Sequence, residues 1–145
     1  MQLLRRQAVS EDLGPAAEAA VLEPCRLQEL ADELGDSTPA LGFLSNYLSM
    51  LPHRMLSISS GLCGHDSAAS MDAILSLKIS SAMVGALDTE EQCRAIELMI
   101  RDDHFDAAVR AFPALQQSTD RCFAEGPQLL GKARESLCSR PRTPF

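Results

Sequence analysis

Three histidines and five cysteines are the side chains in this sequence best suited to chemistry. A neutral imidazole can act as a nucleophile or a general base near pH 7, and the histidines are His53, His65 and His104. The cysteines are odd in number, widely spaced and free of Cys-x-x-Cys pairs, which argues against a metal or redox centre. They are Cys25, Cys63, Cys93, Cys122 and Cys138. We expect them to be reduced, buried thiols of a cytoplasmic protein that binds no metal.

No other arrangement of side chains predicts an enzyme. Paired carboxylates, a phosphate-binding loop and a Ser/His/Asp set do not stand out in the sequence. Ser76 and Ser80 have no adjacent base that would activate a hydroxyl group. We therefore expect a protein that has no enzymatic activity and needs no cofactor.

Charge and hydropathy exclude several classes of partner. The formal net charge of -7 over 145 residues argues against binding to nucleic acid, which requires a basic surface, and against adhesion to anionic lipid. No apolar run approaches the ~20 residues of a membrane helix, and none follows Arg5 and Arg6 to form a secretory signal. These features predict a single cytoplasmic domain with no membrane contact.

The apolar residues recur at helical spacing, and no strand pattern or internal repeat occurs. Pro24 begins a short helix that ends at Gly35. Asp36 or Ser37 caps a long second helix, and Asp66 or Ser67 caps the central helix, 72–87. A fourth helix is predicted to start at a capping box and a fifth at Phe105. The box pairs Asp88 with Glu91 or Thr89 with Gln92.

The predicted fold is all-α, an antiparallel up-down four-helix bundle with a short additional N-terminal helix. Residues 1–23 form a leader that is partly helical or disordered, and residues 24–126 form the bundle. Residues 127–145 form a tail, in which we expect regular structure to end near Arg134.

The central helix is apolar on two sides. Its inward stripe is predicted to hold Ile74, Leu77, Ser81, Val84 and Asp88. A second stripe lies about 100° further round the helix and holds Leu75, Ile79, Ala82 and Ala86. Such a helix either lies at the centre of its bundle or carries an exposed apolar patch.

The same helix resembles a known family. The run Leu75-Ser-Leu-Lys-Ile-Ser-Ser-Ala-Met-Val-Gly-Ala-Leu is similar to the signature His-x-Leu-Lys-Gly-Ser-Ser, followed by Gly-Ala, of histidine-containing phosphotransfer domains. Residues 41–56 resemble the second helix of that family, and residues 91–112 resemble its closing helix pair. The resemblance implies a monomeric four-helix bundle that carries phosphoryl groups between receiver domains in two-component relays.

The departures from the signature matter as much as the match. The phospho-accepting histidine of the family falls on Leu75, the glycine that leaves room for a receiver domain falls on Ile79, and the helper lysine is kept as Lys78. The resemblance thus implies a variant with no catalytic residue. The hypothesis is an adaptor that binds a receiver domain or a sensor histidine kinase. Its predicted partner-binding residues are Met71, Leu75, Lys78, Ile79 and Ala82.

Alternatives stay open at this point. An active phosphotransfer intermediate could use a displaced histidine, for which His53 is the least unsuitable. The bundle could also be an interaction or dimerisation module outside any phosphorelay, as a monomer or weak homodimer. Leu75 and Ile79 could face a partner, a second chain or the leader.

Overall fold

The computed structural model describes residues 21–139, with side chains as far as Leu137. These residues form six helices and no strand, so the predicted all-helical class is confirmed. The helices are α1 (Pro24–Leu34), α2 (Ser37–Cys63), α3 (Ser67–Val84), α4 (Leu87–Arg101), α5 (Phe105–Ala124) and α6 (Gly126–Ser139). Predictions that concern residues 1–20 and 140–145 lie outside the described residues.

Two glycines and two aspartates set the predicted helix ends. Gly35 follows α1 with φ 77°, and Gly85 follows α3 with φ 86°; both values lie in the left-handed region that glycine adopts without strain. The Asp36 carboxylate accepts from Thr38 N–H at the start of α2, and that of Asp66 accepts from Ala69 N–H at the start of α3. These side-chain caps satisfy backbone donors that the first turn leaves unpaired.

The predicted capping box of the fourth helix is wrong. Helix α4 begins at Leu87, and its N-cap, Ala86, makes no side-chain hydrogen bond. Thr89 is buried inside the first turn, with its hydroxyl 2.7 Å from Ser118 Oγ on α5. The sequence spacing assigned the Thr89 hydroxyl to a helix cap, but this hydroxyl bonds a different helix instead.

Four of the helices close a ring around the core. Helix α2 packs on α3, α3 on α4, α4 on α5, and α5 returns against α2; α1 and α6 pack on the outside of this ring. The apolar stripes of all four helices meet inside, where burial of apolar surface is the main stabilising term. The largest fully buried apolar side chains are Leu44, Leu51, Ile58, Leu62, Ile74, Leu77, Ile96, Ile100, Leu115 and Val84.

Helices α2 and α3 approach closely and share a buried polar contact. A Cβ at Gly61 of α2 would lie 2.8 Å from Ser70 Oγ of α3, so only glycine fits there. Further along, the hydroxyl groups of Tyr47 and Ser81 are 2.7 Å apart. Tyr47, expected on the flank of its helix, is buried, and this burial raises the pKa of its phenol far above the usual range.

The C-terminal region is more regular than the sequence predicted. Regular structure was expected to end near Arg134, but α6 continues to Ser139. Leu137 is buried, and Leu129, Leu130 and Ala133 pack against the core, so this helix gains stability from tertiary packing. Between residues 21 and 139, no helix is both long and apolar enough to span a bilayer.

Candidate docking face on α3

The inward stripe of α3 is as predicted for four of its five members. Ile74, Leu77, Ser81 and Val84 have no exposed surface. Asp88, the fifth, is exposed, because α3 ends at Val84 and Asp88 belongs to α4. The direction of this stripe determines which side of α3 faces away from the bundle.

The opposite side of α3 carries apolar residues outward. Ile79 is 57% exposed and Met83 is 39% exposed, although both are large and apolar. Leu75 and Ala82 are half-buried beside them. Ala86, predicted on the same stripe, is buried instead because it lies beyond the end of α3.

We use "docking face" for Met71, Leu75, Lys78, Ile79 and Ala82, the five residues predicted to bind a partner. The structure places all five on α3, on or beside its outward side, with Met71 and Lys78 half-buried. Leu75 is therefore neither in the interior of the bundle nor fully exposed, and its side chain lies at the surface next to Ile79.

Lys78 is held by an ion-pair network that the sequence analysis did not predict. Its Nζ lies 2.6 Å from Glu97 Oε1 on α4, and Arg101 bonds the other oxygen of the same carboxylate. The Glu97 side chain is only 8% exposed. The hydrogen bond from Lys78 lowers the pKa of Glu97, with help from the charges of Lys78 and Arg101 and against the effect of burial.

A sequence signal for this network did exist. Glu97 lies in the apolar stripe of α4 between Ile96 and Ile100, both of which are buried. A carboxylate within a core stripe needs a charged partner, because an unpaired buried charge is costly. The spacing indicated a partner one turn away at Arg101, but the second cation comes from a different helix.

None of the three histidines lies on the docking face. His53 is exposed on α2 and lines a groove of about 730 Å³ between α2 and α3, whose α3 side includes Asp72 and Ser76 rather than Leu75. His65 and His104 both line a recess at one end of the bundle, formed by two loops and the start of α5. The His65 ring packs edge-on against Phe105, with ring centroids 5.0 Å apart.

The four thiols whose side chains the structure describes fall into two classes, and the prediction for Cys138 lies outside them. Cys93 and Cys122 are buried, as predicted, and burial raises their thiol pKa values to about 12 and about 11. Cys25 and Cys63 are exposed, which contradicts the prediction for these two. Their positions at the start of α1 and the end of α2 explain the exposure, because helix ends lie at the surface of a bundle. In the described part of the chain, no three His, Cys, Asp or Glu side chains are placed to hold a metal ion.

Comparison with known proteins gives a likeness at the level of structure. No protein-family profile matches the chain, and no curated protein matches it in sequence. The structure is similar to histidine-containing phosphotransfer protein B of Pseudomonas aeruginosa PAO1, with a TM-score of 0.67 and 18% identity over 79% of this chain and 97% of that one. The chain has the histidine-containing phosphotransfer fold.

A second solved structure agrees. A candidate histidine-containing phosphotransfer protein from rice gives a TM-score of 0.64 and 16% identity, over 90% of this chain and 94% of that one. The two TM-scores show that the phosphotransfer fold is shared. Because the identities are this low, the chemistry has to be argued from this chain's own residues.

Proposed function

We propose that this protein is an adaptor of a two-component phosphorelay that binds a receiver domain or a sensor histidine kinase and does not accept a phosphoryl group. The observation that carries the proposal is the outward apolar pair on α3. Leu75 and Ile79 lie at the surface at the two positions where the sequence resemblance implies histidine and glycine. The role needs no cofactor, and we expect it in the cytoplasm.

Chemistry supports the loss of phosphoryl transfer. Attack on an aspartyl phosphate needs an imidazole lone pair, and the side chain of Leu75 has none. Ile79 projects where a glycine would leave space for an incoming domain. Lys78, the retained cation, is paired with Glu97 and so has its charge largely compensated.

The same substitutions favour binding. Burying the exposed parts of Leu75 and Ile79 at an interface would contribute roughly 2–5 kcal/mol before the costs of association. Apolar side chains at the centre of an interface are typical of contacts that dominate affinity. An adaptor that has exchanged its nucleophile for an apolar residue thus keeps a usable contact surface.

We further infer that the four ring helices run alternately up and down. The links between α2, α3, α4 and α5 contain two or three residues. Links this short reverse the chain between neighbouring helices and make them antiparallel. In this arrangement α3 and α4 form a hairpin, and the docking face lies along its outer side.

A capture experiment tests the proposal. Immobilised receiver domains and kinase domains are incubated with the parent protein, with Leu75→Asp and with Ile79→Asp, and retention is measured. A charge at either position should abolish capture, because it would be buried unpaired at the interface. Val109→Asp is the matched control, since Val109 is a similarly exposed apolar residue on α5.

Circular dichroism of each variant separates binding from folding. Lost capture with full helicity supports the docking face. Undiminished capture by both α3 variants would show that the contact lies elsewhere, and a loss of helicity in Leu75→Asp alone would show that Leu75 acts in the core.

One observation favours a second candidate, phosphotransfer through a displaced histidine. His53 is exposed and lines the α2–α3 groove together with Arg54, a cation that could attract phosphate. This candidate predicts acid-labile, base-stable phosphate after incubation with a phosphorylated receiver, and its loss in His53→Ala. No incorporation by the parent would eliminate it.

A further inference from the structure

Helix α4 carries a stripe of alternating charges next to the docking face. Glu90, Arg94, Glu97 and Arg101 recur at intervals of four, three and four residues. At about 100° per residue they lie within about 60° of one another around the helix. Two short ion pairs join them within the helix, Arg94 to Glu90 at 2.8 Å and Arg101 to Glu97 at 2.5 Å.

The arginine side chains of the stripe are exposed, whereas its carboxylate side chains are largely buried. The side chains of Arg94 and Arg101 are 53% and 57% exposed, but those of Glu90 and Glu97 are 16% and 8% exposed. Arg94 bonds Oε2 of Glu90, which leaves Oε1 to accept from a second guanidinium. Each guanidinium has five N–H donors, so it can bond an outside carboxylate without leaving its own partner.

Exposed apolar residues accompany the stripe on both helices of the α3–α4 hairpin. Leu98, 51% exposed, and Leu87, 38% exposed, lie on its outer side along α4. Ile79 and Met83 are exposed on the neighbouring helix α3. Half of the large apolar side chains that are exposed among the described residues therefore belong to this one hairpin, and exposed apolar residues that lie together mark candidate interaction surfaces.

The charge order specifies which partner fits. If a second copy of α4 lies antiparallel to the first, with a twofold axis between residues 95 and 96, Glu90 faces Arg101 of the other copy and Arg94 faces its Glu97. Opposite charges then face each other at all four positions, and direct bonds form in the two Glu90–Arg101 pairs, because Glu97 is only 8% exposed and both its oxygens are already bonded. A parallel alignment would place each charge against its like, which is unfavourable. Among arrangements with a twofold axis, in which parallel helices must be in register, the stripe is thus complementary to itself only in the antiparallel direction.

We propose that the α3–α4 face is a twofold interface between two copies of this chain. Interfaces with twofold symmetry use one patch on both subunits and need a self-complementary surface, which this stripe provides. The exposed apolar residues of the hairpin supply the buried area. Because Ile79 would be covered, self-association and the receiver binding proposed above would compete; that consequence, unlike the dimer, rests on the proposed function.

Two charge reversals and their mixture test the interface. Glu90→Arg places arginine against Arg101 at both ends of a homodimer, and Arg101→Glu places glutamate against Glu90. Each variant alone should self-associate at least about tenfold more weakly than the parent, since like charges then meet twice. In a mixture of the two variants, all four contacts are again between opposite charges, so a heterodimer should form with near-parental affinity.

Sedimentation equilibrium over a concentration series measures the association, with the monomer mass of 15.7 kDa as reference. Arg110→Glu, an exposed reversal on α5, is the matched control and should leave the dimer unchanged. A parent that stays monomeric at every concentration, reversals without effect, or a mixture that stays monomeric would each overturn the proposal. No receiver domain is present, so the result is independent of the capture experiment.

Discussion

Lys78 on α3 and Glu97 on α4 form an ion pair with 2.6 Å between Nζ and Oε1. The pair joins the docking face to the edge of the core, because the Lys78 side chain is 24% exposed and that of Glu97 only 8%. Arg101 bonds the second carboxylate oxygen. The family resemblance places Lys78 near a phosphoryl group. In this structure the charge of Lys78 instead compensates that of a protein carboxylate, Glu97.

Removing Lys78 should destabilise the protein in a pH-dependent way. Lys78→Met leaves Glu97 with Arg101 as its one charged partner, and we expect a loss of about 1–3 kcal/mol in the free energy of unfolding at pH 7. Urea denaturation measures it. Arg94→Met, which breaks an exposed pair with Glu90, is the control and should cost under about 0.5 kcal/mol.

The pH dependence follows from the pKa of Glu97. Because that pKa is lower in the folded chain than in the unfolded chain, ionisation contributes stability above the usual carboxyl range, and this contribution is lost as the pH falls through the lowered value. Lys78→Met lacks most of this contribution. The difference in the free energy of unfolding between variant and parent should therefore become smaller as the pH falls from 7 towards about 3. If the difference in the free energy of unfolding is the same at pH 7 and at about pH 3, the ion pair is not the cause of the destabilisation.

The predictable part of α3 was its periodicity. Residues at helical spacing share a face whatever the tertiary structure, so Ile74, Leu77 and Val84 could be assigned to the core from sequence. The features that could not be predicted were polar contacts between residues far apart in the sequence. Tyr47 is buried because Ser81, 34 residues away, meets its hydroxyl, and Glu97 is buried because Lys78 reaches it. Such pairs depend on how helices dock, which local spacing does not encode.

A glycine substitution should reveal the close approach of α2 and α3. In Gly61→Ala the new methyl group would meet Ser70 at 2.8 Å from Oγ and 3.0 Å from the backbone nitrogen. Backbone atoms cannot avoid the methyl group by a change of rotamer, so α2 and α3 must separate. We expect this to lower the free energy of unfolding by about 1–3 kcal/mol. Thermal or urea unfolding measures this cost.

Gly42→Ala in the same helix is the control for helix propensity. Nothing lies within 4 Å of a Cβ at that position, so alanine should stabilise α2 by about 0.5–1 kcal/mol. The two substitutions should therefore have opposite signs. If both stabilise, α2 and α3 are further apart than the structure shows.

Thiol reactivity should separate the cysteines by burial. At pH 8 an alkylating reagent should modify Cys25 and Cys63 rapidly and leave Cys93 and Cys122 intact in the folded protein. The buried pair lacks access to the reagent, and burial raises the pKa of both thiols above 10, so little reactive thiolate exists. Peptide mapping by mass spectrometry assigns the sites. Labelling of Cys93 at the rate of Cys63 would contradict the buried position.

Restoring the missing signature residues should restore phosphate acceptance. In the double variant Leu75→His and Ile79→Gly, an imidazole occupies the surface position of Leu75, and the side chain that fills the neighbouring space is removed. We expect acid-labile, base-stable phosphate on this variant after incubation with a phosphorylated receiver, and none on the parent. Phosphate on the intact protein is measured by mass spectrometry before and after acid treatment.

Single variants and His53 make the experiment decisive. Leu75→His alone should accept less phosphate than the double variant, because Ile79 still obstructs the receiver. The glycine should cost about 1 kcal/mol of stability in α3, so folding is checked by circular dichroism. Adding His53→Ala to the double variant should leave its labelling unchanged. Labelling of the parent that disappears with His53→Ala would instead show a working nucleophile on α2, and the apolar pair on α3 would then be a contact surface beside an active site.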